Sequence, residues 1–110
     1  MTLQQLKAFG CNTDEGLQRC LNNETFYLGL VNKFATSIDL SNLRKALANK
    51  DLETAFKEVH SLKGVVGNLA LTPIFDVTVK MVEPLRVKQD IDYTSLFNQL
   101  ENLVNELKAM

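Results

Sequence analysis

The chain has 110 residues, 45% of them hydrophobic and 23% charged, with a net charge of −1. That length suits one domain, 1–110, with a continuous core, while the near-neutral charge and strong apolar periodicity argue against a nucleic-acid binder and against disorder. No apolar run approaches the roughly 18 residues needed to span a bilayer, no polybasic run points to a membrane surface, and Met1–Lys7 does not read as a signal peptide, so a cytoplasmic location is expected.

Leu3 and Leu6 predict a short amphipathic helix over residues 2–8, stopped near Gly10. Thr13 reads as an N-cap, with Asp14 and Glu15 in the first turn of a helix running to about Leu21. Cys11 and Cys20 fit no metal-ligand spacing and are expected as reduced, partly buried thiols. Asn22 or Asn23 caps the next segment, where Phe26, Leu30, Phe34 and Ile38 recur at spacing four. Leu40, Leu43 and Leu47 continue the helical period in a shifted phase, which predicts one long, bent helix over residues 24–49. Asp51 starts the following helix; its seam is Leu52, Ala55, Val59, Leu62, Val66 and Leu69, and it should end near Leu71. Thr72-Pro73 marks a restart, cap followed by proline at the first helical position. Ile74, Val77, Met81 and Leu85 line that helix, and Pro84 must kink or end it. Asp92 or Thr94 opens the last helix, with Tyr93, Leu96, Leu100, Leu103 and Leu107 as its seam. The expected fold is all-α, an antiparallel four-helix bundle with one or two short N-terminal helices.

The parts of a self-contained enzyme are missing. There is no Gly-x-Ser-x-Gly elbow, no cysteine near the single histidine in sequence, and no obvious set of three or four metal ligands. Gly64-Val65-Val66-Gly67 lacks the ending of a phosphate loop and lies inside a helical pattern. What remains is His60. At about 100° per residue the seam of its helix points roughly 140° away from it, so the imidazole should face water. Gly64 and Gly67 fall on its side, and a glycine inside a helix costs about 1 kcal/mol relative to alanine. Two of them on one exposed face imply that something must come close there.

Lys63, one turn beyond His60, would stabilise an anionic phosphoryl group on the ring, and Lys57, one turn before it, adds positive charge. Phe56, His60, Gly64, Gly67 and Leu71 then form a shallow apolar patch with a lysine rim. Nothing in the pattern makes a pocket, so the patch suits a protein partner better than a small molecule. Without phosphate chemistry, the same patch would make the chain a helical interaction or scaffold module.

The run His60-Ser61-Leu62-Lys63-Gly64-Val65-Val66-Gly67-Asn68-Leu69 closely resembles the signature of histidine-containing phosphotransfer (HPt) domains of bacterial multistep phosphorelays. The resemblance covers nearly the whole chain, including the acidic start after Gly10, the Asn-Asn-Glu-Thr-Phe-Tyr-Leu opening of the long helix, and the Asn-Lys-Asp turn before the histidine helix. It implies that His60 is the phosphoacceptor, Lys63 its electrostatic partner, and Gly64 the gap that lets a receiver domain approach. Phe56, Lys57, Gly67, Asn68 and Leu71 would complete the partner surface. It also implies a phosphoryl carrier without kinase activity, which takes the group from an aspartyl phosphate on one response-regulator receiver and passes it to another. No cofactor is expected on this chain; magnesium would come with the receiver.

The partners implied are receiver domains and a hybrid sensor histidine kinase, with no nucleic acid and no membrane, and the chain is expected to be a monomer. In a variant of this reading a kinase catalytic domain is the direct donor, as in chemotaxis kinases, although Gly67-Asn68-Leu69 looks more like phosphorelay members. Two positions depart from the family pattern. Ala70 stands where many members have a further glycine. By its spacing from His60, Val82 takes the place where some members carry a glutamine that contacts the histidine. The resemblance therefore leaves open which group orients the ring.

Overall fold

A computed structural model describes residues 1–110 as seven α-helices without a strand. They are α1 (Leu3–Phe9), α2 (Thr13–Arg19), α3 (Glu24–Ser37), α4 (Ser41–Ala48), α5 (Leu52–Asn68), α6 (Thr72–Arg86) and α7 (Thr94–Lys108). The longest interface runs between α5 and α6, and α7 packs on α6. The pair α3–α4 forms the remaining side of the bundle, α4 lying against α5 and α3 against α7. A single cluster of 25 buried hydrophobic residues holds these elements together. Ala55, Val59, Leu62 and Val66 carry α5 into it. Each fully buried valine or leucine contributes about 1.5–3 kcal/mol, so α5 is firmly seated along one face.

The expected helix over 24–49 is two helices, interrupted at Ile38–Leu40. Local polar groups account for the break. Thr36 and Ser37 turn their hydroxyls onto the Lys33 carbonyl, and the Asp39 carboxylate accepts the Ser41 N–H. These three bonds give the backbone an alternative to the helical ladder. Lys108 Nζ, at the end of α7, donates to the Ile38 carbonyl at 3.0 Å and ties the break to the bundle. The buried stripe of α3 is also one residue away from the expected one: Tyr27, Val31, Phe34 and Ala35 face the core, while Phe26 is 55% exposed. Tyr27 sets that rotation, since its ring packs over Gly16 and its hydroxyl donates to the Leu69 carbonyl at 2.8 Å. Two caps shift by one position. Asn12, not Thr13, caps α2, and Thr72 is already the first residue of α6, whose helix runs through Pro84 and ends two residues later.

Five helices end in one way. After α1, α2, α4, α5 and α6 a left-handed residue donates to the carbonyl three before it, and the next N–H reaches the carbonyl five before its own position. For α5 these bonds are Ala70 to Gly67 and Leu71 to Val66. This is the Schellman arrangement, for which glycine is the favoured residue. Only Gly10 supplies it; Leu21, Lys50, Ala70 and Lys88 adopt φ of 54–56° instead. A left-handed conformation costs a residue with a Cβ roughly 1–2 kcal/mol.

The last carbonyls of α5 lack intrahelical donors, as at any helix C-terminus. Here the N-terminal segment supplies them. Arg19 Nη1 donates to the carbonyls of Gly67 and Asn68 at 2.5 and 3.1 Å, Tyr27 to Leu69, and the Asn12 N–H to Ala70 at 3.2 Å. Arg19 is also ion-paired with Glu15, one turn earlier on α2. A guanidinium at that end suits the negative pole of the helix. Cys11 and Cys20, on either side of α2 in the chain, are both free and buried.

Ala70→Gly should relieve the left-handed strain and raise the unfolding free energy by about 0.5–1 kcal/mol, the lost methyl and the freer unfolded chain offsetting part of the gain. Urea unfolding followed by circular dichroism measures it. Stability should also fall in alkali. Burial pushes the Cys11 thiol from its ordinary 9.0 up to about 11, and the Tyr27 hydroxyl from 10.0 to about 12. The folded chain thus retains protons that the unfolded chain releases. The stability from these groups is whole below pH 9 and declines as pH rises toward 11 and 12. Urea unfolding between pH 8 and 11 should show this decline, and Cys11→Ala should make its first part shallower.

Candidate functional site

The outer face of α5 is as bare as its inner face is packed. His60 is exposed, and a side chain built on Gly64, one turn further on, would meet nothing within 4 Å. Gly67 lies on the same side but serves a different purpose: a Cβ there would come within 3.1 Å of the Phe75 ring on α6. Of the two glycines, Gly64 leaves a gap on the surface, and Gly67 lets α6 come close.

His60 is held by a stack. Its imidazole lies on the Phe56 ring with centroids 5.4 Å apart and the planes inclined by 16°. The Arg86 guanidinium of α6 sits 5.4 Å from the centre of the same Phe56 ring. Such aromatic pairs contribute about 0.5–1.5 kcal/mol, and an exposed cation over a ring about 0.5–1 kcal/mol. Val82 is fully buried and offers no polar atom to the imidazole.

The two lysines that flank His60 on α5 differ, one paired and one not. Lys57 pairs with Glu53 at 3.5 Å, both side chains well exposed, an interaction worth only a few tenths of a kcal/mol. Lys63 is half-buried and has no carboxylate within 4 Å. Its ammonium is therefore not engaged in an ion pair. Asn68 is exposed at the end of α5. Leu71, expected on the patch, is fully buried. It precedes α6 just after the Schellman turn at Ala70, and that turn swings its side chain into the core.

A groove of about 560 Å³ opens beside His60, where the sequence pattern suggested no pocket. His60, Lys63, Gly64 and Gly67 form its floor, Phe75 and Asp76 of α6 one wall, and Asn12, Glu15 and Arg19 the other. The wall from α2 escaped the sequence reading, because Arg19 lies 41 positions before His60 and no spacing rule links them. The only signal was the acidic first turn of α2, which marks a helix start and nothing more. Phe75 also went unnoticed, since it sits off the apolar seam of α6 and is only half-buried. No three Asp, Glu, His or Cys side chains converge to hold a metal ion, and no helix is long and apolar enough to cross a membrane.

The model of the family described as Hpt domain matches residues 35–110, that is, the end of α3 and everything after it. Neither the curated proteins nor the solved structures give a match.

The two site glycines should respond oppositely to a methyl group. Gly64→Ala meets open space and should stabilise the chain by about 0.5–1 kcal/mol through helix propensity alone. Gly67→Ala must displace the Phe75 ring and should fall well short of that gain or lose stability. Parallel urea titrations of the two variants make the comparison.

Proposed function

This chain belongs to the Hpt domain family, and on that premise we propose that His60 accepts a phosphoryl group from the aspartyl phosphate of one response-regulator receiver and passes it to another. Membership carries a phosphotransfer role in two-component signalling, and Hpt domains in general are phosphocarriers without catalytic activity of their own. The observation that carries the finer reading is the pairing of an exposed imidazole with the open position at Gly64, one turn away on a helix whose other face is buried.

In the forward step an unprotonated imidazole nitrogen attacks phosphorus. The bond from phosphorus to the aspartyl oxygen breaks, the carboxylate is regenerated, and the ring N–H proton passes to solvent. Transfer to the second receiver reverses these changes on its own aspartate. Phosphoryl transfer of this kind depends on position and on charge stabilisation more than on covalent chemistry by the protein. This chain contributes a nucleophile on a firmly seated helix. Lys63 stands beside the ring to stabilise the phosphoryl oxygens. Gly64 admits the receiver, which brings the magnesium ion. Gly67 and Asn68 then belong to the docking surface through the groove floor and the end of α5, and Lys57 through its rim; Leu71 does not.

Incubation with a phosphorylated receiver and magnesium should label the chain in an acid-labile, alkali-stable form. His60→Gln should abolish the label while leaving the helical circular-dichroism spectrum intact and lowering the unfolding free energy by no more than the roughly 0.5–1.5 kcal/mol of the lost stack. Label that survives His60→Gln would overturn the assignment.

A further inference from the structure

Phe56 lies one turn before His60 on α5, the direction in which helical side chains lean. That placement lets the imidazole settle on the phenyl ring, 5.4 Å between centroids and 16° between planes. We propose that Phe56 is the positioning residue for His60, and that Arg86 holds Phe56 in place from α6. The inference rests on the reading of His60 as the phosphoacceptor and adds how its ring is aimed.

The imidazole itself sets the requirement. Its nitrogen lone pairs lie in the ring plane, so the tilt of that plane fixes the line along which phosphorus can be attacked. On an exposed side chain the torsion that sets this tilt is broad, and an in-line reaction loses rate when the approach is poorly defined. A hydrogen bond from a neighbouring helix would be the ordinary solution. Val82 cannot supply one, being apolar and fully buried. The stack supplies the constraint instead, since two nearly parallel rings resist rotation of either about its own bond. Phe56 is itself only half-buried, and Arg86 reaches it from α6, 5.4 Å from the ring centre. The imidazole plane is thereby referred to the α5–α6 interface, the longest in the bundle. The side chain on which the nucleophile rests is thus apolar and leaves both ring nitrogens free of competing hydrogen bonds.

The test uses the full chain and potassium phosphoramidate, a donor small enough to need no docking surface. The donor's P–N bond breaks, a P–N bond to an imidazole nitrogen forms, and the ring proton leaves with ammonia as ammonium. Two readouts are taken together: the rate of phosphohistidine formation, and the NMR shifts of the His60 ring protons, which a stacked phenyl ring moves upfield. Phe56→Leu should return those protons to free-histidine positions and slow phosphorylation about three- to tenfold, the loss expected for one aromatic pair. Phe56→Tyr should restore both, and Arg86→Met should move both part of the way. Phe56→Met serves as the second truncation should the leucine variant lose its cooperative unfolding. Wild-type rates in the truncated variants would overturn the proposal, as would ring shifts that ignore them. In either case His60 would still be labelled, so the phosphoacceptor reading stands apart; a wild-type chain that takes no label would end both.

Discussion

A helix that ends inside a folded chain must find donors for its last carbonyls, and the way α5 meets that requirement organises the rest of the molecule. The Schellman turn at Ala70 takes the carbonyls of Val66 and Gly67. Arg19, Tyr27 and Asn12 take those of Asn68, Leu69 and Ala70 from three separate points in the N-terminal third, and Arg19 gives Gly67 a further donor. These bonds fix the end of the helix that carries His60, and they draw α2 against it. The rotation of α3 follows, because Tyr27 must face inward to reach Leu69 and so leaves Phe26 outside. The groove beside His60 follows as well, since Arg19 cannot hold Gly67 without making α2 a wall.

The same helix has to serve two requirements with one set of side chains. Its inner face supplies apolar contacts that keep it rigid, while its outer face, in the role proposed for it, leaves room for a partner. Gly64 accepts a helix-propensity cost of about 1 kcal/mol to keep that face open. Gly67, next to it on the surface, answers instead to close packing on Phe75. A phosphocarrier asks little more of its fold than this: a steady nucleophile, a nearby cation and a clear approach. In the proposed role His60, Lys63 and Gly64 would meet those needs, and the hard part of the chemistry would fall to the receiver.

The all-helical architecture could be read in the sequence because the seams of α5, α6 and α7 repeat with helical period and their burial matches it at Val59, Met81 and Leu100. His60 could be placed on the outer face from angle alone. The interruption at Ile38–Leu40 is harder to see, since Phe34 and Ile38 on one side and Leu40, Leu43 and Leu47 on the other each keep a helical spacing, only the phase shifting, and the break comes from side chains bonding their own backbone. In α3 two overlapping stripes, one through Phe26 and one through Tyr27, share Phe34, and only the distant Leu69 carbonyl decides between them. Leu71 falls on the patch only if the helical angle continues past Asn68, where the helix has already ended. Arg19, Phe75 and Arg86 join the site through tertiary contacts, which period and spacing do not encode. Family membership rests on residues 35–110, whereas the groove needs a wall that lies before them.

The central claim is that one imidazole, on the open face of α5, carries the phosphoryl group. The most direct measurement is a phosphorus-to-proton correlation NMR spectrum of the chain after it has received phosphate from a phosphorylated receiver. The account predicts a single phosphoramidate resonance, correlated with the ring protons of His60 and disappearing as a second receiver is added. A phosphorus signal correlated with any other side chain, or a His60 signal that no receiver can discharge, would contradict it.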